Sequence, residues 1–103
     1  MVRQQFLSEM EQKLRAFDER LDHLAARPLP RSPRAQAERE RQHFHMLAGR
    51  AELRERLRHA GYTPDESWRD FKEAMQSVYD GLARRLDKAA HEEDSLGGHA
   101  RTV

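Results

Sequence analysis

Apolar residues recur at alternating spacings of three and four along the first part of this 103-residue chain. Between residues 3 and 26 the repeat is carried by Leu7, Met10, Leu14, Phe17, Leu21 and Leu24. An average spacing of 3.5 residues is the heptad pattern of a coiled-coil helix, in which one narrow apolar stripe faces the neighbouring helices. The repeat therefore predicts a helix over about residues 3–26 that buries a single seam.

The same spacing returns near the other end of the chain, at Trp68, Phe71, Met75, Val78, Leu82 and Leu86. Gly61 suits the residue that ends a helix with positive φ. Thr63, with Glu66 three residues later, has the form of a capping box that begins the next helix. We therefore predict a third helix over about residues 64–91, and a disordered polar tail at residues 97–103.

A proline-rich joint at residues 27–33 separates the first helix from the middle one. Three prolines in six residues cannot lie inside a helix, because each lacks an N–H and crowds the preceding turn. Ser32 has the character of an N-cap, and Pro33 suits the first helical position. The middle helix is expected over about residues 33–60. Together these segments predict an all-α, elongated, antiparallel three-helix coiled-coil bundle (up-down-up), with residues 1–96 as one domain.

The predicted middle helix has apolar residues on two faces. Phe44, Leu47, Ala48 and Ala51 share one face, whereas Met46, Leu53 and Leu57 lie on the opposite one, and Gly49 falls between them. The helix could be buried on both sides, it could bend near Gly49, or one face could bind another molecule. On the third explanation, a protein-interaction face comprises Phe44, Leu47, Ala48 and Ala51.

Positive charge is concentrated in the middle of the chain, although the whole chain carries only +1. Residues 27–61 contain nine arginines and four glutamates, a net charge of +5. The simplest interpretation is attraction between this segment and its acidic neighbours within one folded unit. The alternative is an anion-binding edge formed by Arg27, Arg31, Arg34, Arg39 and Arg41.

The sequence contains no recognisable catalytic motif, cofactor motif or metal-ligand spacing. There is no cysteine, and His43 and His45 point about 200° apart on a helix, so one ion cannot bind both. Trp68 and Phe71 have the spacing of a first core layer. We expect no enzymatic activity, no cofactor and no metal. The chain has no apolar run long enough to span a membrane, and no apolar segment follows the N-terminal charge, so we expect a cytoplasmic protein.

Two motifs resemble a family of short, uncharacterised bacterial coiled-coil proteins that are labelled as stress-response related. The first runs from Leu14 to Leu24 and contains the pair Phe17-Asp18. The second begins at Trp68, continues through Phe71-Lys72 and ends at Tyr79-Asp80-Gly81-Leu82. The resemblance covers about residues 5–91 and implies a coiled-coil protein associated with stress, without catalytic residues. The triple-proline joint and the segment from His43 to Gly49 depart from the family pattern.

Together these observations predict a non-enzymatic structural or protein-interaction protein that binds a second copy or another protein. The alternative is an anion or nucleic-acid binding module that uses the Arg-rich segment 27–58. The basic stretch lacks aromatic residues spaced for base stacking apart from Phe44, which weakens the nucleic-acid interpretation. Reversible opening of the amphipathic bundle on a lipid surface is a third possibility.

Overall fold

The computed structural model of the chain describes residues 2–101, with side chains described for residues 3–92. It contains three α-helices, α1 (Val2–Ala25), α2 (Pro33–Arg58) and α3 (Trp68–Arg101). They form an elongated bundle of 58 × 20 × 19 Å. The described residues contain no strand, and the predicted all-α three-helix bundle is confirmed.

Contacts between the helices show an up-down-up arrangement. Lys13 of α1 hydrogen-bonds to Gln76 of α3, and further along both helices Arg20 hydrogen-bonds to Asp87. Because the residue numbers of both partners increase in the same direction, α1 and α3 are parallel. α2 runs the other way, because its early residue Arg39 contacts the end of α1. Each connection therefore reverses the chain direction.

The seam predicted for α1 forms the centre of the core. Met10, Leu14, Phe17 and Leu21 are almost completely buried, and Leu24 closes the row at the joint. The buried residues that α3 contributes are Met75, Leu82, Leu86 and Ala89. No polar or charged side chain between residues 3 and 92 is buried, so charged groups surround the core without entering it.

α2 fully buries only one of its two apolar faces, which contradicts the first of the three explanations, burial on both sides. Met46, Leu53 and Leu57 lie in the core, whereas Phe44 is 67 % exposed. The helix is continuous from Pro33 to Arg58, through Gly49. A narrow three-helix bundle explains this one-sided burial, because α1 and α3 both pack against the same half of α2.

Gly49 has a packing role within that continuous helix. A Cβ atom at this position would lie 2.5 Å from Cδ2 of Leu82 on α3. The glycine lets the two backbones approach across a buried leucine, which offsets the cost of about 1 kcal/mol that glycine carries inside a helix.

The proline-rich joint begins α2 as predicted. Ser32 is the N-cap, its Oγ accepts a hydrogen bond from the Ala35 N–H at 3.2 Å, and Pro33 occupies the first helical position. This satisfies one backbone donor that the helix start would otherwise leave unpaired.

The connection from α2 to α3 differs from the prediction. Two short 3-10 turns, Ala60–Tyr62 and Asp65–Ser67, link the helices, and Gly61 does not have positive φ. Thr63 is not an N-cap of α3, because Pro64 is extended and α3 begins only at Trp68. The predicted capping box is therefore wrong: the 3-10 turn separates its residues from the helix start.

α3 also extends beyond its predicted end near residue 91, because the helical backbone continues to Arg101. No proline follows Glu92, and two glycines at about 1 kcal/mol each do not stop a helix that is already formed. The predicted disordered tail is thus helical in its backbone over residues 97–101. Residues 102 and 103 lie outside the described part of the chain.

Candidate functional site

An apolar groove lies at the end of the bundle that carries the proline-rich joint. Its volume is about 370 Å³, and it opens to the surface between the end of α1, the joint and the first half of α2. Its apolar walls include Leu24, Leu29, Pro30, Phe44, Leu47 and Ala89. The joint and all three helices therefore contribute to one apolar surface.

Phe44 and Leu29 are the most conspicuous residues of this groove. Among the described side chains, three large hydrophobic residues are exposed: Leu29 and Phe44, each 67 % exposed, and Tyr62, 85 % exposed. Two of these three line the same groove, whereas Tyr62 lies in the connection between α2 and α3. Water-exposed aromatic and leucine side chains grouped in this way are typical of a binding surface.

The predicted interaction face divides into two parts in the structure. Phe44 is exposed and lines the groove, and Leu47 is half-buried, lines the groove and packs against the core. Ala48 and Ala51 are exposed on the outer surface of α2, where they do not line the groove. Phe44, Ala48 and Ala51 thus form an exposed strip, and Leu47 lies beside this strip in the wall of the groove.

Arg39, one of the residues of the predicted anion-binding edge, binds the backbone of the joint. Its Nη2 donates hydrogen bonds to the carbonyl oxygens of Leu24 at 2.5 Å and Arg27 at 2.9 Å, and its Nη1 donates to that of Pro28 at 3.0 Å. These carbonyls belong to the last turn of α1 and to the residues after it, where the helix dipole favours a cation. Arg39 therefore stabilises the end of α1.

The remaining arginines of the predicted edge differ in their contacts. Arg27 Nη1 donates to the Ala90 carbonyl oxygen at 3.4 Å, and Arg41 forms an ion pair with Glu38. Arg31 and Arg34 are exposed on the joint and at the start of α2. Three of the five arginines, Arg27, Arg39 and Arg41, thus have partners within the fold. Binding of an anion by the edge predicted from Arg27, Arg31, Arg34, Arg39 and Arg41 stays a prediction.

A basic cleft that sequence reasoning missed lies between α2 and α3. It has a volume of about 360 Å³, and its basic side chains are Arg41, His45, Arg85 and Lys88. Arg85 and Lys88 follow Arg41 by more than forty residues, so only the antiparallel packing of α2 and α3 brings them together. The signal available in the sequence was a pair of cations three residues apart on one face of the third helix.

Glu38 also lines this cleft, and its pKa is lowered. The main cause is a hydrogen bond that Gln42 donates to the carboxylate, and the positive charges of Arg41 and Lys88 act in the same direction. The carboxylate is thereby held in its charged form and partly neutralises the cleft.

The histidines of α2 point to opposite sides of Phe44. His43 lines the apolar groove, whereas His45 lines the basic cleft and packs its ring edgewise against Phe44 at 6.1 Å between centroids. Among the described residues no three His, Cys, Asp or Glu side chains are grouped closely enough to hold a metal ion.

Trp68 and Phe71 stack with their ring centroids 5.3 Å apart at the start of α3. Phe6 packs edgewise on Trp68, and the Arg3 guanidinium lies over the indole ring at 4.6 Å. The two aromatic residues lie at the end of the bundle opposite to the groove. Both are half-buried, and only Phe71 packs against the buried core, so the layer expected from their spacing lies at the edge of the core.

Comparison with protein-family models, curated proteins and solved structures gives no significant match to this chain. No helix in the part of the chain that the structure describes is both long and apolar enough to cross a bilayer.

Proposed function

We propose that this chain is a non-enzymatic protein-interaction protein that binds its partner through the outer face of α2. The binding surface centres on Phe44 and includes Leu47, Leu29 and the apolar groove beside them. The observation that carries the proposal is that two of the three exposed large hydrophobic side chains line this one groove. A partly open apolar groove with an aromatic residue at its edge can bury a partner side chain and exclude water around it.

The chemistry of the groove supports binding more than catalysis. Its walls are mainly apolar, and the guanidinium of Arg39 is engaged with backbone carbonyls. Two further points stay predictions. The family resemblance implies that the binding is associated with stress, and the sequence analysis expects it to take place in the cytoplasm.

An anion or nucleic-acid binding module that uses residues 27–58 has less support. Arg27 and Arg39 hydrogen-bond to backbone carbonyls, and Arg50 and Arg54 both bind Asp18. Phosphate contacts through these four arginines would disrupt contacts that hold the helices together.

The proposal predicts that Phe44→Glu abolishes partner binding and leaves the fold intact, because this side chain is 67 % exposed. The test compares wild-type protein, Phe44→Glu and Tyr62→Glu as immobilised baits in extract of the native host. Tyr62 is the matched control, an exposed aromatic residue outside the groove. Circular dichroism of the three proteins checks that helicity is unchanged.

Support for the proposal is a protein, including the chain itself, that wild type and Tyr62→Glu retain and that Phe44→Glu loses. Equal retention by all three baits would contradict it. If Phe44→Glu unfolds, the more conservative Phe44→Ser replaces it in the same comparison.

A further inference from the structure

The surfaces on the two sides of Phe44 carry opposite charge. The side toward the groove presents the carboxylates of Glu40 and Glu92, and the guanidinium of Arg39, which also lines the groove, is bound to backbone carbonyls. The side toward α3 presents Arg41, Arg85 and Lys88 in the basic cleft. Glu38 borders both sides and is paired with Arg41. The outer face of α2 therefore has an acidic edge on one side and a basic edge on the other, with an apolar strip between them.

Small residues extend the apolar strip along α2. Ala37 and Ala51 lie seven residues before and after Phe44, and Ala48 lies one turn after it. All three alanines are exposed. Because positions seven residues apart fall on nearly the same line of a helix, another helix can approach α2 closely along this strip.

We infer that the partner on this face is a second copy of the chain, bound with the two α2 helices parallel about a two-fold axis. The inference rests on the proposed function and identifies its partner. In a two-fold dimer packed face to face, parallel helices place the acidic edge of each copy against the basic edge of the other. Antiparallel helices would instead place each edge against the same edge of the other copy, with like charges opposed.

The register of the dimer follows from the central aromatic side chain. Phe44 of each copy lies at the axis, so Ala37 faces Ala37 and Ala51 faces Ala51. Glu40 on the acidic edge then lies beside Arg41 of the second copy, because adjacent residues differ by only about 1.5 Å in height along the helix. The two-fold axis repeats this ion pair, which gives two pairs per dimer.

Engineered cysteines test the orientation, since the chain has no cysteine of its own. Ala37→Cys and Ala51→Cys are prepared separately, and each is oxidised alone and in a 1:1 mixture. A disulfide requires Cα atoms about 4.4–6.8 Å apart. In the parallel dimer each variant forms a cross-linked dimer by itself. In an antiparallel dimer centred on Phe44, residue 37 faces residue 51, and only the mixture cross-links.

Controls separate this result from random collision. Ser77→Cys on α3 places an exposed thiol away from the strip and should not cross-link. Adding Phe44→Glu to Ala37→Cys should abolish cross-linking. Absolute mass from light scattering, at concentrations from about 1 µM to 1 mM, shows whether the wild-type chain dimerises without a cross-link.

Charge reversal tests the pairing of the edges. Glu40→Arg and Arg41→Glu should each weaken dimerisation about tenfold, because each affects two symmetry-related pairs. The double exchange, Glu40→Arg with Arg41→Glu, restores opposite charges across the axis and should recover affinity.

A monomeric mass over the whole concentration range would overturn the inference, as would cross-linking in the mixture alone. Neither result would affect the proposed function, because the bait experiment reports any partner that depends on Phe44. A different result would contradict the proposed surface itself: a stable dimer of the wild-type chain, combined with equal retention of partners by the wild-type and Phe44→Glu baits.

Discussion

Gly49 determines how closely α2 approaches α3. We expect Gly49→Ala to lower the free energy of unfolding by about 1 kcal/mol, because its Cβ would overlap Leu82 Cδ2 at 2.5 Å and the cost of overpacking exceeds the gain in helix propensity. With Leu82→Ala present, the same substitution should raise the free energy of unfolding by about 1 kcal/mol. Urea denaturation of the four proteins in this double-mutant cycle measures both effects.

Gly81 is the matched control for this prediction. It also lies inside a helix, but a Cβ at this position would meet no heavy atom within 4 Å. Gly81→Ala should therefore stabilise the protein by about 1 kcal/mol through propensity alone. Destabilisation by Gly81→Ala as large as that by Gly49→Ala would show that the contact with Leu82 is not the cause.

At the scale of elements, Arg39 holds the end of α1 against the start of α2. Arg39→Ala should lower the free energy of unfolding by about 2 kcal/mol, because it leaves the carbonyls of Leu24, Arg27 and Pro28 without their charged donor. Thermal and urea unfolding measure the loss.

Arg34→Ala is the control for Arg39, since Arg34 is an exposed arginine of the same segment. We expect its effect to stay within about 0.5 kcal/mol. Equal effects of the two substitutions would indicate that the joint is not held by Arg39.

At the scale of the whole molecule, half-buried charges help to set how the helices are arranged. Asp18 on α1 binds Arg50 and Arg54 on α2, each at 2.8 Å. Its side chain is 24 % exposed, whereas that of Asp87, which pairs with Arg20 between α1 and α3, is 62 % exposed. Asp18→Ala should therefore cost about 1.5 kcal/mol, and Asp87→Ala less than about 0.5 kcal/mol.

Salt dependence distinguishes these two ion pairs further. Exposed pairs are screened by added salt more strongly than half-buried ones. The difference between wild type and Asp18→Ala should persist at about 1 M sodium chloride in urea denaturation, and a difference that disappears would show that the Asp18 cluster behaves as a surface pair.

Features that depend on neighbouring residues were predictable from the sequence. The seam from Met10 to Leu24 is local, because each member lies three or four residues from the next, and it is buried as expected. The cap at Ser32 is equally local, since its Oγ binds a backbone N–H three residues later. The joint around Gly61 was predicted incorrectly. The residues of this joint are compatible with several backbone conformations, and the packing of α3 selects one of them.

The sequence by itself determined the three helices, the proline-rich joint and the presence of two apolar faces on α2, because periodicity and proline chemistry act over a few residues. Only the tertiary structure decided which face of α2 is exposed, since α1 and α3 both pack against the same side of that helix. It also gathered Arg41, Arg85 and Lys88 into one cleft and assigned Arg39 to the end of α1. These contacts join residues far apart in the chain, and packing rather than local propensity selects them.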